Sequence, residues 1–311
     1  MVETKVEDAQ RNQMGTSSLR LVESTLRGVL EDFFKVAHTI YTPSMLITAL
    51  CLRTPAKARL YPKRITLPDG TKLCLNNSAT FHINVPDIYY RREYFLHKDY
   101  IPKTGWTVID VGAYVGIFSI YVSKIVGDEG LVIAFEPDPI TYQCFVRNLN
   151  LNRSKNIVTL PIALGKIDGR MKFYSVTKGN TGRSSFLADN VNNAPQEVSE
   201  FKTLQVSLRS LDGLLPTILS RYKKGYIDLM KIDVEGYEEE VLEGTTEAFG
   251  KGIIKRLVVE VHLNTVRHGS IASLLSNLGF SIENVVIYNN VKEIVYSKSK
   301  NIANAGNQNL T

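Results

Sequence analysis

The feature that most constrains the fold is an alternation of short apolar runs with helical patterns, which begins near Trp106. Five runs are predicted strands: Val108–Val111, Leu131–Phe135, Ile157–Leu160, Ile227–Ile232 and Leu257–Val261. They are apolar at nearly every position, as strands of a parallel sheet covered on both faces must be. This alternation predicts a doubly wound α/β sheet whose ligand lies at the carboxyl ends of the strands.

The helices between the runs carry their own end signals. The stretch from Tyr114 to Val126 is helical in pattern and stops at Gly127, a suitable left-handed cap. The next helix begins with Asp138 as N-cap and Pro139 at the first helical position. Both helices follow directly on a predicted strand, as the crossover connections of a parallel sheet do.

The last part of the pattern differs from the rest. A helix from Ser270 to Leu278 stops at Gly279. Two further runs, Ile282–Tyr288 and Val291–Tyr296, flank Asn289-Asn290, a pair that favours a type I′ turn. These signals predict an antiparallel hairpin added to an otherwise parallel sheet.

The region before the alternation is predicted to be helical and then to form a hairpin. Apolar residues at helical spacing predict an amphipathic helix over 18–37 and a short helix over 44–52. Arg64–Leu67 and Lys72–Leu75 flank Pro68-Asp69-Gly70-Thr71, a strong turn signal. The predicted organisation is a tail and helical extension (1–60), a hairpin and lead-in (61–105), the main α/β domain (106–298) and a flexible tail (299–311).

Charge and apolar content exclude some classes of protein. The 37 basic and 31 acidic residues leave a net charge of +6, too mild to imply nucleic-acid binding. We interpret one denser basic cluster as a solvated face, with an anionic surface as the alternative partner: Arg53, Lys57, Arg59, Lys63 and Arg64.

Location in the cell is inferred from leader, membrane and cysteine signals. The first eighteen residues are polar and charged, unlike a signal peptide. The apolar stretch Phe33–Leu52 contains Lys35 and Pro43, and its uncharged part is shorter than the roughly 20 residues of a membrane span. The three cysteines form no CxxC pair. We expect a soluble, cytoplasmic protein, with a homo-oligomer or peripheral membrane contact through the first helix left open.

A glycine turn follows the first strand of the alternation. Asp110 to Gly116 reads Asp-Val-Gly-Ala-Tyr-Val-Gly, and it lacks the second glycine of the dinucleotide pattern, since Tyr114 stands there. Glu136 ends the next strand, 24 residues after Gly112, near the spacing at which a carboxylate reaches ribose hydroxyls. Asp110 is expected beside a cationic group of the ligand. The pattern indicates a nucleoside with an unphosphorylated ribose.

Three segments together resemble a known family. They are Ile109-Asp110-Val111-Gly112-Ala113, Ala134-Phe135-Glu136-Pro137-Asp138-Pro139 and the run Asp228 to Glu238, which reads Asp-Leu-Met-Lys-Ile-Asp-Val-Glu-Gly-Tyr-Glu. In this order they resemble the FkbM family of S-adenosylmethionine-dependent O-methyltransferases, from about Ile65 to Glu260. The family's Asn-Leu-x-Leu-Asn segment is similar to 148–152, and its serine pair to Ser184-Ser185.

The resemblance implies a fold, a cofactor and a binding site. The fold is the Rossmann-like class I methyltransferase α/β fold, a mostly parallel seven-stranded sheet with a C-terminal antiparallel hairpin. The cofactor is S-adenosyl-L-methionine, with Ala163 and Leu164 lining the adenine. The predicted cofactor-binding residues are Asp110, Gly112, Ala113, Tyr114, Gly116, Glu136, Pro137, Ala163 and Leu164. Tyr114 departs from the small or amide residue usual in such families, which puts its contact in question.

Candidate catalytic residues follow the fourth and fifth strands. Lys231, Asp233 and Glu235 alternate where an acceptor should arrive, and His262 is a candidate proton acceptor oriented by Glu260. The alternatives are Asp233 as a helix cap, a structural histidine, and a divalent cation held by Asp233, Glu235, Glu260 and His262, although nothing in the spacing requires a metal.

Two nearby segments are further candidates for the wall of the pocket. The polar segment 177–200 is predicted to be a lid, with Arg183, Ser184 and Ser185 facing the acceptor, or else an ordinary mobile loop. The aromatic stretch Tyr89–Tyr94 precedes the first strand and is a weaker candidate than core or surface packing.

The sequence therefore predicts a methyltransferase acting on a hydroxyl of a sugar, a glycan or glycolipid, or a small metabolite. A nucleic-acid methyltransferase is the first alternative, but the motif of the base-amine enzymes is replaced by Asp233-Val234-Glu235-Gly236. An oxidoreductase is disfavoured by the missing glycine. A binding module without turnover stays open. The sequence does not choose the acceptor.

Overall fold

The computed structural model describes residues 62–192, 197–263, 265–266, 269–288 and 291–300. The chain divides into two compact units, 1–54 with 67–69 and 55–66 with 70–311, and the elements below belong to the second. Several predicted features lie outside the described residues: the helices over 18–37 and 44–52, both tails, the Asn289-Asn290 turn, and Arg53, Lys57 and Arg59 of the basic cluster. The predicted domain boundaries stay a prediction. Among the described residues, no helix has both the length and the apolar character needed to span a membrane.

A seven-stranded sheet forms the centre of the fold. Its strands, in chain order, are β3 (Thr107–Val111), β4 (Leu131–Phe135), β5 (Ile157–Leu160), β9 (Leu229–Ile232), β10 (Arg256–His262), β11 (Phe280–Tyr288) and β12 (Lys292–Ser299). The spatial order is β11-β12-β10-β9-β3-β4-β5. Strands β3, β4, β5, β9 and β10 pair in parallel, whereas β12 pairs antiparallel with β10 and β11. The predicted Rossmann-like sheet with its terminal hairpin is confirmed.

The strands form where the sequence offers unbroken apolar runs. Every residue of β3 and β4 is buried, as expected for strands covered on both faces.

The helices, in chain order, are α1 (Ile117–Val126), α2 (Pro139–Asn152), α3 (Ala188–Asn192), α4 (Leu211–Tyr222), α5 (Glu238–Glu243), α6 (Thr246–Gly250) and α7 (Ser270–Asn277). The largest core cluster joins Ile109, Met230 and Val259 of the sheet to Leu215 of α4 and Phe249 of α6.

The first helix begins later than the sequence predicts. The expected start was Tyr114, but α1 starts at Ile117 with Gly116 as its N-cap. Tyr114 has φ 54° and Gly116 φ 83°, so both lie in the left-handed region, where a right-handed helix cannot pass. The turn after β3 is thus longer by three residues. By contrast, the N-cap prediction is confirmed, because Asp138 accepts hydrogen bonds from the N–H groups of Ile140 and Thr141.

A second sheet includes the two ends of the predicted lid. Strand β7 (Gly169–Gly179) pairs antiparallel with β8 (Val198–Arg209), and β6 (Ala163–Leu164) pairs in parallel with β8. The interpretation of 177–200 as one long loop was therefore wrong at both ends of the segment. Most side chains of β7 and β8 are exposed or half-buried, so the sequence shows no apolar run that would mark them.

A small hairpin is attached to α2 by asparagine side chains. Strands β1 (Arg64–Thr66) and β2 (Lys72–Cys74) pair antiparallel, which confirms the predicted hairpin. The Asn148 amide accepts from the Cys74 N–H at 2.6 Å and donates to the carbonyls of Cys74 and Val115 at 3.1 and 2.9 Å. In the same way, the Asn152 amide accepts from the Lys72 N–H and donates to the Lys72 carbonyl. The two asparagines thus act as sheet partners for β2, and Asn148 also anchors the turn after β3.

Candidate active site

A cavity lies at the carboxyl ends of β3, β4 and β9, where the connections leave the sheet in opposite directions. This switch point is where α/β sheets bind ligands. The space within it is about 990 Å³, including its open mouth. Its lining includes ten residues predicted to bind cofactor or act in catalysis: Gly112, Ala113, Tyr114, Glu136, Pro137, Ala163, Leu164, Lys231, Asp233 and Glu235.

The turn after β3 brings the backbone of two strand ends into close contact. Gly112 has φ 75°, and a Cβ at this position would lie 1.8 Å from the Asp233 carbonyl oxygen. Gly116 has φ 83°, and a Cβ there would lie 2.0 Å from the Phe145 ring. Gly116 is not among the residues that line the cavity. Both glycines are therefore required by close packing, and only Gly112 borders the cavity.

Gly112→Ala is expected to destabilise the protein more than Gly105→Ala, by about 1–3 kcal/mol, because it adds a backbone clash to the strain of the left-handed region. Gly105 is the matched control, since it has φ 81° but nothing lies within 4 Å of its Cβ position. Urea unfolding of both variants measures the difference. Equal losses in the two variants would contradict the close approach of Gly112 to Asp233.

Glu136 is held in place by two backbone groups. Its Oε2 accepts the Tyr114 N–H at 2.8 Å, and its Oε1 accepts the Asp138 N–H at 2.9 Å. Burial, with Asp138 nearby, raises the pKa of the Glu136 carboxyl to about 8. Each carboxylate oxygen can accept a second hydrogen bond. Once deprotonated, this fixed, cavity-lining carboxyl group fits two neighbouring hydroxyls, such as those of a ribose.

The environment of Asp110 differs from the expectation. Its side chain is fully buried and does not line the cavity. The cation beside it is Lys231, whose Nζ lies 3.2 Å from Asp110 Oδ1, and the Ser119 hydroxyl donates to Asp110 Oδ2 at 2.6 Å. The two charged residues face each other because Asp110 on β3 is in register with Lys231 on β9. The negative charge of Asp110 thus compensates the positive charge of Lys231. Asp110 does not border the space in which a cationic ligand would bind.

Lys231, the cationic member of this buried pair, also lines the cavity. Its Nζ donates to the Gly112 carbonyl at 2.9 Å and lies 3.4 Å from Asp233 Oδ2. Burial alone would lower the pKa of Lys231, but Asp110 and Asp233 outweigh burial and raise it. The lysine therefore stays charged beneath the glycine turn.

Asp233 and Glu235 present two different carboxyl groups to the cavity. Asp233 accepts the Tyr94 hydroxyl at 3.0 Å. Burial opposes its charge, but Lys231 and His262 outweigh burial and lower the pKa of Asp233. Burial raises the pKa of Glu235 to about 7, and its Oε2 has no hydrogen bond to any described residue. Asp233 is thus ionised near neutral pH, whereas Glu235 can exchange a proton there.

His262 lies behind these carboxyl groups and is not part of the cavity lining. Its Nε2 is 3.4 Å from Glu235 Oε2 and 3.9 Å from Asp233 Oδ1. Its Nδ1 is 3.0 Å from Glu238 Oε1, so Glu238, and not Glu260 as predicted, is the partner that orients the ring. Burial alone would lower the pKa of His262, but Glu235 and Glu238 outweigh burial and hold it well above its usual value.

Two alternatives for these residues have direct structural tests. Asp233 does not cap α5, because the N-cap is Tyr237 and no side chain caps that helix. A metal ion has candidate ligands in Asp233, Glu260 and His262, whose ligand atoms lie within 4.8 Å of one another. However, Lys292 lies 3.0 Å from Glu260 and Lys231 lies beside Asp233. Lysines already neutralise the carboxylates that such an ion would need.

The segment around the serine pair approaches the cavity, but of the three residues predicted to face the acceptor only Ser184 lines it. Arg183 Nη1 lies 3.6 Å from Glu235 Oε2, and the Ser185 hydroxyl donates to the Glu235 carbonyl at 2.8 Å. Of the aromatic stretch before β3, Glu93 and Tyr94 line the cavity.

Much of the apolar lining of the cavity was not predicted from the sequence. The residues concerned are Ile88, Ile117, Phe118, Ile162, Phe173 and Phe186. Ile117 and Phe118 begin α1 and the others lie in other parts of the chain, so only the tertiary fold brings them together.

The chain is similar to proteins that are already known. "Methyltransferase 1" of Beauveria bassiana is 25% identical over 71% of this chain and 90% of its own length. The "31-O-demethyl-FK506 methyltransferase FkbM" of Streptomyces tacrolimicus is 25% identical over 70% and 88%. The crystal structure of a SAM dependent methyltransferase from Aquifex aeolicus covers 71% of this chain and 92% of its own, at 17% identity and a TM-score of 0.39.

The family assignment follows from a match to a family model. The model of the methyltransferase FkbM domain matches residues 110–282, more than half of the 311 residues. This range contains the glycine turn, Glu136 and the Asp233–Glu238 segment. The chain belongs to the FkbM-domain methyltransferases, enzymes that use S-adenosylmethionine as methyl donor.

Proposed function

We propose that this methyltransferase transfers its methyl group to a hydroxyl oxygen of a sugar, a glycan or glycolipid, or a small metabolite. The observation that carries the proposal is the pair of carboxyl groups at the end of β9, Asp233 and Glu235, which lines the same cavity as the glycine turn. A hydroxyl is a weak nucleophile, and its reaction is helped by a carboxylate that accepts its proton. The Streptomyces relative, whose name describes methylation at an oxygen, supports this choice.

The cofactor would occupy the part of the cavity bounded by the glycine turn and β4. Glu136 would accept the ribose hydroxyls, Ala163 and Leu164 would flank the adenine, and Ala113 and Pro137 would complete the wall. S-adenosylmethionine supplies a methyl group already activated by the positive charge on sulfur. The tasks left to the protein are alignment of the acceptor, exclusion of water and removal of a proton.

The residues at the end of β9 divide these tasks. Asp233, ionised and fixed by Lys231 and Tyr94, accepts a hydrogen bond from a second polar hydrogen of the acceptor and so aligns the incoming hydroxyl with Glu235. Glu235, whose carboxyl has a pKa of about 7, is suited to receive the proton, since a general base works best when its pKa lies near the working pH. His262 acts as the cation that favours the ionised forms of both carboxyls. This replaces its predicted role, because an already protonated imidazole cannot accept a proton.

The test is methyl transfer by the full chain from isotopically labelled S-adenosylmethionine to matched acceptors. The acceptors are polyhydroxylated sugars and metabolites, the corresponding deoxy compounds, tRNA and duplex DNA. We expect labelled methyl ethers on at least one hydroxylated acceptor, no product from its deoxy counterpart and no labelled nucleic acid. Methylation at nitrogen or carbon, labelling of nucleic acid alone, or cofactor binding without any transfer would each overturn the proposal.

A further inference from the structure

The Tyr114 hydroxyl lies at the centre of a buried polar cluster. It lies 2.6 Å from Asn77 Nδ2, 3.0 Å from Asn76 Oδ1 and 2.8 Å from the hydroxyls of Thr80 and Thr181. These partners come from two segments far from Tyr114 in sequence, 76–80 and the turn that begins at Thr181. One phenol hydroxyl therefore joins three separate parts of the chain.

The cluster uses the full bonding capacity of the hydroxyl. A phenol hydroxyl donates one hydrogen bond and accepts two. Asn77 Nδ2 donates to it, and Asn76 Oδ1 accepts from it. Thr181 Oγ1 already accepts from the amides of Asn76 and Asn77, so its own proton is directed at Tyr114. The hydroxyl has no capacity left for a ligand, and its role is to hold protein segments.

The segment that it holds forms one wall of the cofactor cavity. We call residues 180–184 the wall turn. Thr181, Gly182 and Ser184 of the wall turn line the cavity. Within it, the Ser184 hydroxyl donates to the Thr181 carbonyl at 2.9 Å and accepts the Val176 N–H at 3.0 Å. The position of Thr181 therefore determines the position of this side of the cavity.

The backbone of Tyr114 acts on the opposite wall. Its N–H is one of the two groups that orient Glu136, and it does so with φ 54°. A residue with a side chain adopts this left-handed conformation only at a cost. The hydrogen bonds of the side chain offset that cost, so a single residue couples the orientation of Glu136 to the position of the wall turn.

We propose that Tyr114 is a positioning residue for the cofactor: its hydroxyl fastens the wall turn to the glycine turn, and this attachment sets the affinity for S-adenosylmethionine. The phenol itself makes no hydrogen bond to the cofactor. Its loss would take one buried acceptor from the Asn77 amide and from the Thr181 hydroxyl proton, which loosens the wall turn.

The test is Tyr114→Phe, which keeps the ring and removes only the hydroxyl. Calorimetric titration of the full chain with S-adenosylmethionine is expected to show binding about tenfold weaker, the effect of one lost buried hydrogen-bond centre. Hydrogen exchange of the cofactor-free protein is expected to be faster in 180–184. Tyr142→Phe is the matched control, because its hydroxyl bonds to Thr159 away from the cavity. It is expected to change neither measurement.

A second variant separates positioning from a general loss of structure. Thr181→Val removes the other end of the attachment and is expected to weaken binding to a similar extent. The double variant is expected to lose less affinity than the sum of the two single losses, since both single variants remove the contact between Tyr114 and Thr181. Unchanged affinity in Tyr114→Phe would overturn the proposal. Additive losses in the double variant, or equal losses in Tyr142→Phe, would overturn it as well.

Discussion

Glu136→Ala is expected to weaken the binding of S-adenosylmethionine by about 100-fold, measured by calorimetric titration. The physical reason is the loss of two hydrogen bonds from ribose hydroxyls to a carboxylate, each contributing roughly 1.5–3 kcal/mol less the cost of burying the group. The carboxylate is held by the N–H groups of Tyr114 and Asp138, so the orientation that the ribose needs is set before binding.

Two control variants sharpen this prediction. Glu136→Gln keeps the shape but presents one amide N–H group where an acceptor is needed, and we expect an intermediate loss. Glu129→Ala removes an exposed glutamate just before β4, at the opposite end of that strand from Glu136, and is expected to bind normally. If Glu136→Ala binds S-adenosylmethionine as tightly as the parent, the ribose does not lie at the end of β4.

Asp233→Ala is expected to lower kcat by about 1000-fold while leaving the Kd of S-adenosylmethionine within about threefold. The substitution removes the ionised carboxylate that aligns the hydroxyl, and it leaves the glycine turn and Glu136 in place. The measurement uses the hydroxylated acceptor identified by the labelling experiment, with cofactor binding followed separately by calorimetry.

Asparagine has nearly the shape of aspartate without its charge, so Asp233→Asn tests the charge of Asp233 by itself. Asp233→Asn retains a hydrogen-bond acceptor for Tyr94 but removes the charge that faces Lys231 and His262. We expect nearly the same loss of kcat, because the charge is the property that matters. Glu247→Ala, on the exposed surface of α6, serves as control. Full turnover in Asp233→Asn would show that the acceptor is aligned by other groups.

The parallel sheet could be predicted from the sequence because its strands are apolar at most positions. The five predicted strands match β3, β4, β5, β9 and β10 to within two residues. The same runs end at residues with polar or small side chains, so the cavity edge could also be predicted. Gly112, Glu136 and Asp233 all reach the cavity because the carboxyl ends of parallel strands meet at one edge of a sheet.

The remaining features depend on contacts that no local pattern encodes. Strands β7 and β8 expose polar residues on much of both faces, and only their pairing across the chain makes them strands. Asp110 meets Lys231 because of the register of two strands that are distant in sequence. Likewise, the partner of His262 is Glu238 of α5 rather than Glu260 of its own strand. Residue type identified these groups as chemically active, but tertiary packing decided their partners.

The central claim is that the cofactor lies across the glycine turn, with its ribose at Glu136 and its sulfur facing Asp233 and Glu235. A crystal structure of the full chain with S-adenosylhomocysteine tests it most directly. We expect both ribose hydroxyls within about 3.2 Å of the Glu136 carboxylate oxygens. We also expect the sulfur on the side of the cavity where Asp233 lies. A ribose bound away from Glu136, or a sulfur turned away from Asp233, would contradict it.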